Sequence, residues 1–331
     1  MENSAVYRRA LPARDRFKRA LRAYWQLSRP FTLLAPSLGM LSGGLVALFA
    51  RGDKLVSGSG LWVNLILGAL GAALLNAASN AINQVYDLSI DRINKPGRPM
   101  PRGDIKPGAA LAFCAATTGL ALVCAVLASY NTRRLDTVIL FGMAAIFSWA
   151  YSAPPLRMRA RGWLANLTVA IPRGTLLKVA GWSLVQSTAT AEAWYIGAIM
   201  GLFLLGATST KDFSDIRGDE ACGVKTLPII YGPRAAASVI APFLVLPFLL
   251  IPYGAVTGVL TGRVVDLVWV GLICTFWGLY IAVIILRDPD ALTRTENHPA
   301  WRQMYYLMLF VQVGFVLAYV PHDAVRRMLG L

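Results

Sequence analysis

Apolar and polar positions are segregated along this chain rather than interleaved. Long runs of Leu, Ala, Val, Ile and Phe are separated by short stretches rich in Arg, Asp and Pro. A helix rises about 1.5 Å per residue, so about 20 apolar residues cross a bilayer core of ~30 Å. Nine stretches approach or exceed that length: 31–50, 61–83, 108–130, 136–152, 163–186, 193–210, 235–259, 266–286 and 303–320. They predict an all-α polytopic membrane protein with nine transmembrane helices. No polar insert is long enough to fold alone, so residues 30–320 read as a single membrane domain. Residues 1–29 read as a basic amphipathic segment lying on the membrane surface, and 321–331 as a short C-terminal tail. The first run is too long for the apolar core of a signal peptide, and no small-x-small site closes it. It reads as the first span.

Composition agrees: the chain is 56% hydrophobic with a mean hydropathy of +0.54, unlike a soluble domain. Charge then orients the spans. Of 32 Lys and Arg, 23 fall in the N-terminal segment and the loops after spans 2, 4, 6 and 8. Seven fall in the other loops and the C-terminal tail, and Arg173 and Lys178 lie inside span 5. The positive-inside rule puts the N-terminus and the even loops in the cytoplasm of an inner or plasma membrane, and the C-terminus on the opposite side. The net charge of +15 needs no nucleic acid. Loops beside anionic lipid account for it.

Several chemistries lack their parts. His298 and His322 are the only histidines and fall on opposite sides of the expected membrane. The four cysteines form no CxxC pair, and neither a GxxxxGK[ST] nor a GxGxxG occurs.

The acids carry the signal. "NQVYDLSIDRINKPGRPMPRGD" (83–104) closes span 2, and "KDFSDIRGDEACGVKTLPIIYG" (211–232) closes span 6. Asn83, Asp87 and Asp91 are four residues apart, so a continuing helix puts them on one face. Asp215 and Asp219 repeat that spacing, with Asp212 just before them. Like charges four apart repel, and carboxylates oppose the dipole at a helix C-terminus. A cation relieves both costs. Carboxylate, amide and water oxygens suit Mg²⁺, which keeps positions open for phosphate oxygens. Lys95, Arg98, Arg102, Lys211 and Lys225 adjoin the clusters as candidate anion clamps. Arg157 and Arg29 are further candidates, with interface anchoring as the competing role. Arg173 and Lys178 are charges inside a span, which normally face a cavity or a partner. Tyr86, Tyr151 and Phe213 flank the motifs, where an aromatic face can lie against a positive charge.

These motifs resemble the UbiA superfamily of intramembrane prenyltransferases. Asn83, Gln84, Asp87 and Asp91 match N-[DQ]-x-x-D-x-x-x-D, followed by "NKPGRPMPRG". Asp215, Asp219 and "GVKTLP" match the second motif. "SRPFT" and "YSAPPLRMRARGW" resemble the start of the first span and the loop after the fourth, so the likeness runs from about 28 to 320. The resemblance implies a nine-helix bundle with a cytoplasmic cap. It implies a polyprenyl diphosphate held between the Asp clusters by Mg²⁺, expected as two ions, and transfer of the prenyl group to a lipophilic acceptor. Asp87, Asp91, Asp215 and Asp219 become the catalytic acids. Asn83, Asp87, Asp91, Asp212, Asp215 and Asp219 become the metal ligands. For the acceptor, a quinone-type aromatic such as homogentisate or a hydroxybenzoate is expected, as the broadest class in the family. Geranylgeranylglyceryl phosphate and a chlorophyllide are the alternatives. "YSAPPLRMRARGW" looks most like chlorophyll and bacteriochlorophyll synthases, whereas 211–232 looks as much like archaeal glyceryl phosphate and homogentisate enzymes. A membrane transporter is the distant alternative, but transporters place their sites near the midplane, and these acids stand at one rim.

Overall fold

The computed structural model describes residues 13–50, 59–294 and 298–321. His322 and Arg326 lie outside the described residues, as do the first 12 positions of the N-terminal segment. The described chain is helical throughout, with an isolated bridge between Arg161 and Lys225 in place of any strand.

α1 (Ala13–Ser28) is followed by a 3₁₀ turn over Pro30–Leu33 and by α2 (Leu34–Phe49). α3 (Ser59–Tyr86) continues into α4 (Leu88–Asn94). α5 (Pro107–Thr132) and α6 (Asp136–Ser152) come next. α7 (Trp163–Ala170) and α8 (Leu177–Ser183) are joined by a π segment, Ile171–Leu176. α9 (Ala191–Ala207), α10 (Thr210–Ala221) and the short α11 (Leu227–Tyr231) lead to α12 (Pro233–Val256). α13 (Val264–Arg287), α14 (Ala291–Arg294) and α15 (Pro299–Tyr319) complete the chain.

Every apolar stretch of the sequence carries helix, but the helices differ in their fitness to cross a bilayer. Five are long and apolar enough, or six if α9 and α10, bent by 44°, are one broken span. The physical reasons are local. α6 has 17 residues. α15 opens on the polar run Trp301, Arg302, Gln303. The 163–186 stretch is interrupted because Pro172 has no N–H to give to a helical bond. The chain answers with a π segment, in which the Leu177 N–H reaches the Pro172 carbonyl. Gly174 there faces Gly201 of α9, where a Cβ would stand 2.5 Å from the Gly201 Cα. The two backbones touch through small residues, as membrane helices do.

α3 packs on α2, α5 and α6, α12 joins α9 to α13, and α15 links α13 back to α2, so the helices close on themselves. Outward positions stay apolar, among them Trp62, Ile66, Val126, Ile146, Leu246, Trp269 and Phe276. Polar side chains point inward. Asn76, Asn80 and Gln84 recur every four residues on α3 and bond the carbonyls of Thr32, Ser28 and Leu27 at 3.1, 2.9 and 2.9 Å. This ladder holds the turn that carries Arg29 in a left-handed conformation, φ 53°. Such a conformation costs a residue with a Cβ about 1–2 kcal/mol unless neighbours enforce it.

Candidate functional site

The first acidic cluster sits where α3 becomes α4. Asp87 breaks the regular helix with φ −101° and ψ 13°, yet the ladder of bonds continues, Asp87 N to Asn83 O at 2.9 Å and Asp91 N to Asp87 O at 2.8 Å. The common face expected for Asn83, Asp87 and Asp91 is therefore kept through the bend. Asn83 Nδ2 donates to Asp87 Oδ2 at 2.6 Å. The second cluster lies on α10, which the break at Thr208 and Ser209 turns away from α9. Asn166 of α7 fills that break, donating to Leu205 O at 2.7 Å and to Ser209 Oγ at 2.5 Å.

Asn94 joins the two motifs. Its amide donates to Asp215 O at 2.9 Å and accepts from Gly218 N at 2.9 Å. A Cβ on Gly218 would stand 2.5 Å from the Asn94 amide nitrogen, so only glycine lets α4 and α10 meet this closely. Charges then cross between the motifs. Lys95 reaches both oxygens of Asp215, at 2.7 and 2.6 Å. Within the first motif, Arg98 reaches both oxygens of Asp91 at 2.6 Å. Arg159 spans the clusters, pairing with Asp87 and, at 2.9 Å, with Asp219. Residues 120 positions apart in the chain thus share one site.

Sequence reasoning chose Arg157 from the "LRMRAR" loop, and the structure puts Arg159 between the acids instead. Arg157 is half-buried with φ 38°, and its side chain makes no hydrogen bond or ion pair among the described residues. The alternation of Arg157, Arg159 and Arg161 hides this choice, since a short 3₁₀ turn over Met158–Ala160 decides which one faces inward. Arg102 is also placed away from the acids: it pairs with Asp104 at 2.8 Å and donates to Gln26 of α1 at 2.7 Å. Lys225 contributes its backbone, accepting from Gly162 N at 2.7 Å, while its side chain is exposed. That contact docks the 157–162 loop beside the second motif. Lys211 stands 4.4 Å over the Trp301 ring. Phe213 is fully buried in the main core, which argues against a role in shielding charge. Tyr86 is half-buried at the end of α3.

Arg29, Tyr151 and Arg173 stand near the clusters. Burial, then the Arg98 and Arg173 charges, push the Arg29 guanidinium down to about 10, against the pull of Asp91 and Asp215. Tyr151 is within electrostatic reach of Arg173, Asp212, Asp215 and Asp219. Arg173 donates to Ser79 Oγ at 3.4 Å. Lys178 is apart, buried in the bundle against Ser42 Oγ and Gly39 O.

The acids of α10 show what the site needs. Burial, with the Asp215 and Asp91 carboxylates, pushes Asp219 up to about 6 despite Arg159. Burial and the Asp219 carboxylate push Asp212 up to about 8. Asp219 Oδ2 is buried with no hydrogen-bond partner. An orphaned carboxylate oxygen among other hard oxygens is what a divalent cation satisfies. Among the described residues, no three His, Cys, Asp or Glu side chains converge as a ready cage. The acids are held in pairs by Arg159, Lys95 and Arg98 instead. The donor chemistry fits Mg²⁺ retained with several waters and substrate oxygens rather than an all-protein cage.

A bundle of apolar helices with paired Asp motifs and basic side chains at one end marks an integral membrane protein. Residues 17–313 match the UbiA prenyltransferase family, and the chain belongs to it. It is a prenyltransferase. Digeranylgeranylglyceryl phosphate synthase of Methanopyrus kandleri is 31% identical over 247 residues, covering 72% of this chain and 80% of that one. The bacteriochlorophyll synthase 33 kDa chain of Rhodobacter capsulatus is 31% identical over 288 residues, covering 81% and 85%. Homogentisate phytyltransferase of Synechocystis is 27% identical over 221 residues, covering 65% and 70%. A solved UbiA homolog from Archaeoglobus fulgidus, bound to DMAPP and Mg²⁺, has the same fold, with a TM-score of 0.69, 20% identity, and coverage of 90% of this chain and all of that one.

Proposed function

We propose that this chain transfers a prenyl group from an allylic prenyl diphosphate to a lipophilic acceptor carrying an acid group, geranylgeranylglyceryl phosphate foremost, and releases diphosphate. The observation that carries this is a surplus of positive charge. Lys95, Arg98 and Arg159 are engaged by the motif acids, whereas Arg29 and Arg173 have no carboxylate within ion-pair distance among the described residues. Homogentisate or a hydroxybenzoate offers these two arginines a single carboxylate, whereas a phosphate monoester offers about −1.5 to −2 of charge and three acceptor oxygens. The expected aromatic acceptor therefore gives way to a phosphate-bearing one, and the digeranylgeranylglyceryl phosphate synthases among the relatives support the change. A chlorophyllide is the second reading. It is favoured by the likeness of "YSAPPLRMRARGW" to that branch and by the match to the Rhodobacter capsulatus chain over 81% of this one.

Asn83, Asp87, Asp91, Asp212, Asp215 and Asp219 would hold the metal, expected as two Mg²⁺ ions, and the homolog bound to DMAPP and Mg²⁺ supports a magnesium requirement. When bound, the metal supplies positive charge to the leaving diphosphate. Lys95, Arg98 and Arg159 exchange carboxylate for phosphate oxygens as the diphosphate enters, and Lys211 and Lys225 extend the clamp at the rim. The C–O bond to the diphosphate breaks with its electron pair leaving on oxygen. The allylic cation is attacked by the acceptor hydroxyl, which loses its proton as the new C–O bond forms. Apolar walls keep water from the cation. Tyr151 stands where an aromatic face could shield it. In the membrane, nine crossings place the N-terminus and this site in the cytoplasm and the C-terminus opposite.

The test is a screen of the purified protein with geranylgeranyl diphosphate against geranylgeranylglyceryl phosphate, chlorophyllide and homogentisate. Turnover is expected with the first. Turnover with homogentisate alone would contradict the phosphate-acceptor reading.

A further inference from the structure

A cavity of about 400 Å³ opens between α3, α5 and α6. Its walls are mostly apolar, with Leu75 and Ile82 from α3, Cys114, Thr118 and Leu122 from α5, and Trp149 from α6. It is placed with respect to the chemistry. Ser79, one helical turn before Asn83, also lines it. The α3 wall runs from Leu75 to Ile82, a rise of about 10 Å. One end of the groove is thus beside the first Asp motif, and the other leads away along the bundle.

Arg173 does not itself line the cavity but meets its α3 wall at Ser79. The π segment that carries it packs against α6 and α9, yet its guanidinium extends to Ser79 Oγ on α3 at 3.4 Å. The side chain stays accessible although it lies inside an apolar stretch. That one bond is long and uses one of five N–H donors. No carboxylate pairs with Arg173 among the described residues. A cation within a membrane bundle is costly and normally meets a counter-charge or a cavity. Here the cavity is present and the counter-charge has to come with a ligand. Arg173 sits in the π segment directly after Pro172.

We propose that this groove is the acceptor subsite. The acceptor's apolar chain lies between α3, α5 and α6, and its phosphate monoester is bound by Arg173, with Ser79 as a second donor and Arg29 as a nearby positive charge. This deepens the proposed function and rests on its anionic acceptor. The prenyl diphosphate keeps the rim site between the Asp motifs. The two anionic heads are then held by separate cations on either side of the reacting atoms, which keeps like charges apart and fixes orientation.

The experiment measures equilibrium binding of dodecyl phosphate to the full chain in lipid nanodiscs, beside dodecanol and laurate. It does not depend on which acceptor is turned over. Wild type is expected to bind dodecyl phosphate well above the other two, and Arg173→Gln to lose about ten- to a hundredfold of that affinity, the loss of one charge-assisted contact. Arg173→Lys should recover part of it, because the charge returns without the fork. Thr118→Phe, which fills the groove without touching the charge, should weaken binding in the same way. Affinity for geranylgeranyl diphosphate should be unchanged in all three variants. Equal binding of dodecyl phosphate and dodecanol by wild type overturns the subsite, and so does equal binding of laurate. A loss of prenyl diphosphate affinity in Thr118→Phe reassigns the groove to the donor's tail and overturns it too. If dodecyl phosphate binds as expected but geranylgeranylglyceryl phosphate is never prenylated, the subsite stands and the proposed acceptor falls.

Discussion

Arg159 is the residue on which the site's electrostatics turn. It touches both acidic motifs, through Asp87 and Asp219. Arg159→Ala should cost roughly a hundredfold in kcat/KM, as expected when a charge-assisted partner of a buried anion is removed. Arg157→Ala should stay within about threefold of wild type, the range of a substitution away from any buried network. Steady-state kinetics on the pair checks this, and a reversed order would put the anchor and the clamp the other way round. The acids themselves were legible in the sequence, because a spacing of four and a position at an apolar helix end are local properties. The choice of Arg159 was not. It depends on a 3₁₀ turn and on the docking of Gly162 onto Lys225, 63 positions away. Arg102 was misplaced for a similar reason: α1 offers it Gln26, and nothing in the local sequence announces that contact.

At the scale of elements, the site depends on α4 meeting α10. Asn94 and Gly218 make that contact, and both lie inside quoted motifs without having been singled out. Asn94→Ala removes two hydrogen bonds at about 1 kcal/mol each. It should lower kcat and raise the Mg²⁺ concentration needed for half-maximal rate, while the bundle still inserts. Gly218→Val should do the same more severely, since any Cβ meets the Asn94 amide. A Mg²⁺ titration that leaves both variants on the wild-type curve would show that the two motifs do not depend on this staple. The π segment is the second device at this scale. The apolar run marked 163–186 as one span, and Pro172 was not singled out. A proline more often kinks a helix than inserts a residue, so the form of the break was not readable in advance.

At the scale of the whole molecule, the apolar stretches located the helices closely. The number of crossings was less legible than their positions, since five or six helices meet the length and hydropathy expected of a span. The gathering of the N-terminal helix, the 95–106 loop, the 157–162 loop, α10 and α14 at one end follows the cation count rather than any motif. Single cysteines placed in 91–107 and in 211–234 should label from the same side of the membrane. Labelling from opposite sides would separate the two Asp motifs and remove the shared site. That the two acidic helix ends form one Mg²⁺-dependent prenyl diphosphate site is the central claim. It is tested most directly by diphosphate release from geranylgeranyl diphosphate, with an acceptor the purified protein turns over, compared among wild type, Asp87→Ala and Asp215→Ala with Mg²⁺ or excess EDTA. Release is predicted only for wild type with Mg²⁺, with both variants inactive although folded and inserted. Wild-type release in EDTA, or near-normal release by either variant, would contradict it.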